Sequence, residues 1–283
     1  MTTNRVNQTL FFPFLLLIFF ISSSKSFAQS YSTVEGDSIN PMVYLTAGYY
    51  FPNINTSLRV DTVLGIGTEI GLEDLGLEEN KSVFKLDGVV RISPNSQLAI
   101  TYTNINRNSK ITLEKDIKVG DTTFLEGSGV GIKFNVDYFA LTYRYSFFNE
   151  KNWNAGLSVG ARAVPINTGF KALLNTDSDS FSYQKSKSIT APAILFGLHG
   201  SAYLTPKLLA RYSLEYFYLN VSGIDISVIE SNFSVQYFFF KKFGLGLAYS
   251  TNDYQVKHIP IGGFNGQVDV NFGGMNLFLV TRF

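Results

Sequence analysis

The sequence predicts an all-β protein: a transmembrane, antiparallel up-and-down β-barrel of about ten strands, within a range of about eight to twelve. Three observations lead there. Segments of strand length alternate apolar and polar residues along most of the chain. The connections between them alternate between short and long. An export leader comes first, and no later stretch is apolar for the roughly 20 residues that a spanning helix requires.

The leader reads as a secretory signal peptide over residues 1–28. Arg5 supplies the positive start, Leu10 to Ile21 is apolar but for Pro13, and Ser26-Phe27-Ala28 precedes Gln29 as a small-residue cleavage site. Residues 29–283 are expected to form one barrel domain. The chain has no Cys, so it can form neither disulfides nor a lipidated cysteine anchor. Charged residues make up 16% and aromatics 15%, a balance that argues against disorder. A net charge of +1 offers nucleic acid no electrostatic handle.

The strands follow in order. Val43, Leu45, Ala47, Tyr49 and Phe51 alternate with Tyr44, Thr46, Gly48 and Tyr50. Over 81–93, Phe84, Leu86, Val90 and Ile92 oppose Lys85, Asp87 and Arg91. After the turn at 93–96, Leu98, Ile100 and Tyr102 oppose Thr101 and Thr103. Phe139, Leu141, Tyr143, Tyr145 and Phe147 oppose Arg144 and its neighbours. Trp153 to Ala161 repeats the pattern against Arg162, and Ile194, Phe196 and Leu198 oppose His199 and Ser201. Tyr212, Leu214 and Tyr216 oppose Arg211 and Glu215. Phe233, Val235 and Tyr237 oppose Glu230, and Phe243 to Tyr249 opposes a Gly/Ala/Ser face. Met275, Leu277, Leu279 and Phe283 face lipid in the last strand, with Asn276, Phe278, Val280 and Arg282 inside.

Turns at 93–96, 149–152, 205–207 and 241–242 are tight, while 52–80, 107–131 and 168–189 read as long polar loops. Short turns on one side and long loops on the other imply an even strand number, with both mature termini on the short-turn, periplasmic side. Counting Ser57–Thr62 and Glu69–Leu72 as strands would raise the total to about twelve. Setting aside the weak first strand would lower it to about eight.

The last strand resembles the C-terminal signal by which bacterial outer-membrane barrels are recognised for insertion, an aromatic-terminated amphipathic strand ending on Phe283. Gly67-Thr68-Glu69-Ile70-Gly71-Leu72-Glu73-Asp74-Leu75-Gly76-Leu77, Phe84-Lys85-Leu86-Asp87-Gly88 and Ile117-Lys118-Val119-Gly120-Asp121-Thr122-Thr123-Phe124 resemble a poorly characterised family of Gram-negative outer-membrane β-barrel proteins. The resemblance implies outer-membrane localisation. It also implies contact with outer-membrane lipid and lipopolysaccharide, and delivery to the barrel-assembly machinery through Phe283. It brings no catalytic residues and no cofactor.

The candidate functional residues are the inward charges: Lys85, Asp87, Arg91, Arg144, Arg162, His199, Arg211, Glu215, Glu230 and Arg282. They suit either a packed interior of paired charges or a narrow lumen with excess positive charge that favours anions. His199-Gly200-Ser201 with Glu215 resembles the His-x-Ser pair of outer-membrane lipid A deacylases. However, Ala202 stands where that pattern has Asn, and Ser201 lies near the short-turn end. Gly127-Ser128-Gly129-Val130-Gly131 lacks the strand–loop–helix setting and Lys of a phosphate loop. Glu69, Glu73, Asp74, Glu78 and Glu79, around a short helix expected at 72–79, read as a solvated loop face without EF-hand spacing.

Two function classes stand out: a small passive channel for ions or small solutes, and a closed structural or adhesive barrel acting through its surface loops. A lipid-modifying hydrolase is the third reading. No enzyme activity and no metal or cofactor are expected.

Overall fold

The computed structural model describes residues 41–61, 67–73, 76–112, 117–119, 122–124, 126–175, 180–261 and 264–283. The predicted signal peptide, Asp74 and residues 113–116 of the segment expected to be a loop lie outside them. The strands are β1 (Val43–Asp61), β2 (Gly67–Gly71), β3 (Val83–Ser93), β4 (Ser96–Thr112), β5 (Ile117–Val119), β6 (Thr122–Phe124) and β7 (Gly129–Asn149). They continue as β8 (Trp153–Asn175), β9 (Ser180–Thr205), β10 (Leu208–Val221), β11 (Ile224–Phe238), β12 (Phe243–Ile261) and β13 (Phe264–Arg282).

Ten of these strands make the wall, each antiparallel to its neighbours in the order β1-β3-β4-β7-β8-β9-β10-β11-β12-β13, and β13 pairs back onto β1. The closing seam runs from Tyr44 opposite Arg282 to Asp61 opposite Asn265. Closure gives every wall strand a hydrogen-bonded neighbour on both sides, as hydrocarbon demands. β2 adds no wall strand. It pairs with Ser57–Asp61 of β1, above the point where β3 stops at Tyr50. β5 and β6 form a separate two-stranded hairpin.

Facing follows the alternation. Leu279 is 66% exposed, and Phe84, Leu141, Phe196 and Leu247 are likewise exposed, while their alternates point inward. A belt of exposed aliphatic and aromatic side chains this continuous requires lipid around it. Near the short-turn end the belt is edged by stacked aromatics, with Phe148 and Trp153 5.6 Å apart.

The long polar loops are corrected by the structure. Residues 53–61, 107–112, 129–131, 168–175 and 180–189 continue the wall strands, so β9 alone has 26 residues, more than twice the roughly 9–11 that cross a membrane. The reason is an inversion of polarity without a break in alternation. Beyond the belt, Asn53, Asn55, Asn106, Asn108, Lys110 and Lys133 take the outward positions and meet water. Ile54, Ile105, Val130, Ile132 and Phe134 take the inward ones. Continuing the ladder also satisfies backbone groups that a loop would leave to solvent. On this side β10 and β11 are joined by a two-residue turn at Ser222 and Gly223, both with positive φ (53° and 85°), as a hairpin of the primed type requires.

The expected helix at 72–79 is absent from the described part of that segment. It is a turn, with Gly76 N donating to Glu73 O at 2.8 Å. Gly76 has φ +79°, and a Cβ there would stand 2.4 Å from the Ile111 side chain. The turn is therefore pressed against the inward face of β4. Leu72 and Leu77 are buried with Val130, Ile132 and Phe134.

Candidate functional site: the charged lumen

Between two apolar layers the barrel holds a charged cavity of about 170 Å³. The lower layer, toward the short turns, joins Tyr44, Val89, Leu209, Phe238, Phe278 and Val280 across the barrel. The upper layer joins Tyr50, Ile54, Val83, Ile105 and Phe272, with Tyr254 and Val136 against it. Above that lies the inward turn at 72–77.

Eight of the ten sequence-predicted residues line this cavity: Lys85, Asp87, Arg144, Arg162, His199, Arg211, Glu215 and Glu230. Two lie elsewhere. Arg282 is buried near the short turns, where its Nε donates to the Lys241 carbonyl at 2.7 Å, its guanidinium meets the Tyr203 hydroxyl, and its plane lies 3.9 Å from the Phe238 ring. Arg91 faces Gln97 across the β3–β4 pair at the same end.

Arg162 is the hub. Its Nε and Nη2 donate to Glu230 at 3.0 and 2.9 Å, Nη2 also meets Glu215, and Nη1 donates to Thr142 at 3.0 Å. Glu230 accepts further bonds from the Tyr138 hydroxyl at 2.9 Å and the Tyr254 hydroxyl at 2.5 Å. Glu215 accepts one from Ser158 at 3.0 Å. This last bond crosses β9 at Gly197, which pairs with both Ser158 and Glu215. A Cβ at Gly197 would lie 2.6 Å from the Glu215 side chain, so the glycine makes room for the network. A second group forms on the opposite wall. Asp87 accepts from Thr46 at 3.0 Å and Thr101 at 2.6 Å, with Lys85 4.0 Å away.

The supposed nucleophilic set is not brought together. His199 Nε2 contacts Ser146 Oγ at 3.2 Å, while Glu215 is occupied by Ser158 and Arg162. Ser201 instead lies opposite Arg211 and Asn154 in the ladder.

Sequence reasoning missed one site. Arg107, fully buried, donates to Glu73 at 2.7 Å and to Thr56 Oγ1 at 2.7 Å, and its guanidinium lies 4.9 Å from the Phe134 ring. Glu73 also accepts from the Thr56 backbone N–H with both oxygens, at 3.0 and 2.9 Å. Glu73 thus corrects the solvated acidic face: it turns inward because Arg107 would otherwise be a buried unpaired charge. The signal was present in the alternation, which sets Arg107 in phase with Thr103 and Ile105.

No family model matches the chain, and no curated protein sequence does. Among solved structures, the chain is similar to the outer membrane protease OmpT from Escherichia coli, with a TM-score of 0.57 and 12% identity, over 89% of this chain and 100% of that one. Weaker likenesses are to the toluene transporter TodX of P. putida (TM-score 0.36, 8% identity, 87% of this chain and 93% of that one) and to OprG from Pseudomonas aeruginosa (TM-score 0.33, 11% identity, 87% and 98%). At these identities the likeness concerns fold alone. The closed wall, the lipid belt and the match to OmpT make this chain a ten-stranded barrel of the outer-membrane type.

Proposed function

We propose that the protein is a closed outer-membrane barrel: a membrane-anchored scaffold that acts at the extended rim beyond the lipid belt. The observation that carries this reading is the pair of apolar layers crossing the lumen, with the turn at 72–77 seated above them. A conducting lumen needs a continuous polar path, and the polar cavity lies between those layers. The experiment is conductance of the refolded mature chain in a planar lipid bilayer, with heat-modifiable gel mobility to verify folding. Silence is expected from the folded barrel. Discrete steps would overturn the closed reading and favour a small passive channel for ions or small solutes.

The extended rim belongs outside the cell in this proposal, and the short turns and both barrel ends in the periplasm. The tight turns at 94–95, 150–152 and 206–207 support it, because outer-membrane barrels carry their short connections on that side. The absence of cysteine makes this testable with single introduced thiols. Ser222→Cys should be labelled on intact cells by a membrane-impermeant maleimide, and Lys207→Cys only after permeabilisation. The reverse pattern would invert the orientation. In this setting the leader at 1–28 is removed on export. Phe283 addresses the barrel-assembly machinery, and the belt meets lipid and lipopolysaccharide.

A further inference from the structure

We propose that the cavity binds one small monovalent anion, of halide or simple carboxylate size, between Arg144 and Arg211. The cavity wall carries four cations, Lys85, Arg144, Arg162 and Arg211, and three carboxylates, Asp87, Glu215 and Glu230, which leaves one positive charge over. The carboxylates are already committed. Glu230 is shared among Arg162, Tyr138 and Tyr254, Glu215 between Arg162 and Ser158, and Asp87 among Thr46, Thr101 and Lys85.

Arg144 and Arg211 make none of these direct contacts. Among the described residues neither makes an ion pair within 4.0 Å, and the Nε of each is buried with no protein acceptor. The Arg211 guanidinium lies 4.0 Å from the Tyr44 ring, a contact with its face that leaves the buried Nε donor unanswered. The ladder surrounds both with small neutral groups. Arg144 stands opposite Gln97 and Ser158, and Arg211 opposite Ser201 and Ser234.

Guanidinium donors kept from water cost free energy unless an acceptor answers them. An anion does so and also cancels the surplus charge, which a water molecule cannot. The volume of about 170 Å³ admits a halide with a few waters or a one- or two-carbon carboxylate. Occupancy does not require conduction, so this site stands or falls separately from the closed-lumen reading.

The test is to refold and crystallise the mature chain in sodium bromide and collect data at the bromine edge. An anomalous peak within hydrogen-bonding reach of both Arg144 and Arg211 is expected in the wild type. It should be lost in Arg144→Gln and in Arg211→Gln, while Lys207→Gln, on an exposed turn, keeps it. If either lumen variant fails to refold, the other and the wild type decide. A wild-type cavity with no bromide peak, or peaks confined to surface lysines, would overturn the proposal.

Discussion

Replacing Arg162 with Met should cost the folded barrel about 3–5 kcal/mol, the range for removing one partner from a buried ionic group. Arg162, Glu215 and Glu230 are 4, 6 and 8% exposed. Without the guanidinium, the hydrogen bonds left to Glu215 and Glu230 are those from the hydroxyls of Ser158, Tyr138 and Tyr254. The measurement is the urea midpoint of unfolding in lipid vesicles, with heat-modifiable mobility as a second readout. The triple variant Arg162→Met, Glu215→Gln, Glu230→Gln should recover most of the loss, because it removes the stranded charges and keeps hydrogen-bonding groups at 215 and 230. That recovery separates electrostatics from packing: a packing defect would persist in the triple variant. A single-variant cost under about 1 kcal/mol would mean the network is well hydrated, as exposed pairs are.

How much of this was legible in the sequence depends on where each residue lies relative to the belt. Inside it, period-two alternation with apolar residues outward settles facing almost residue by residue: Phe84, Leu86 and Val90 are exposed, and Lys85 and Asp87 line the cavity. Beyond it, the same alternation continues in Asn53-Ile54-Asn55-Thr56 and Asn104-Ile105-Asn106-Arg107, but with the polarity reversed. Read against a lipid rule these stretches look like polar loops; read against water they are strands of a soluble barrel, apolar within. The cavity was legible as a set of inward charges. Their pairing was not, because Arg162 reaches Glu230 on a strand three positions round the wall. Such contacts are set by barrel shear and by glycines such as Gly197. Glu73 was obscured by its acidic neighbours, which hid a carboxylate that turns inward.

The polarity switch makes a second strong expectation. Leu279→Arg, on the lipid face of β13 opposite Ala47 and Leu245, should destabilise the barrel by about 2–4 kcal/mol in lipid vesicles if that position is near mid-membrane. Asn271→Arg, eight positions earlier on the same outward face of the same strand, should cost no more than about 1 kcal/mol, the value near or beyond the interface. Both side chains point away from the lumen, and both strand neighbours remain paired, so strand propensity and packing inside the barrel nearly cancel between them. What remains is the medium each side chain meets. The difference, read from urea midpoints of the two variants, therefore measures where along β13 lipid gives way to water. Equal costs would place Asn271 inside the bilayer and the wall above it no longer in water. The Ile54, Ile105 and Phe272 layer would then be the interior of a deeply embedded barrel instead of a rim standing clear of the membrane.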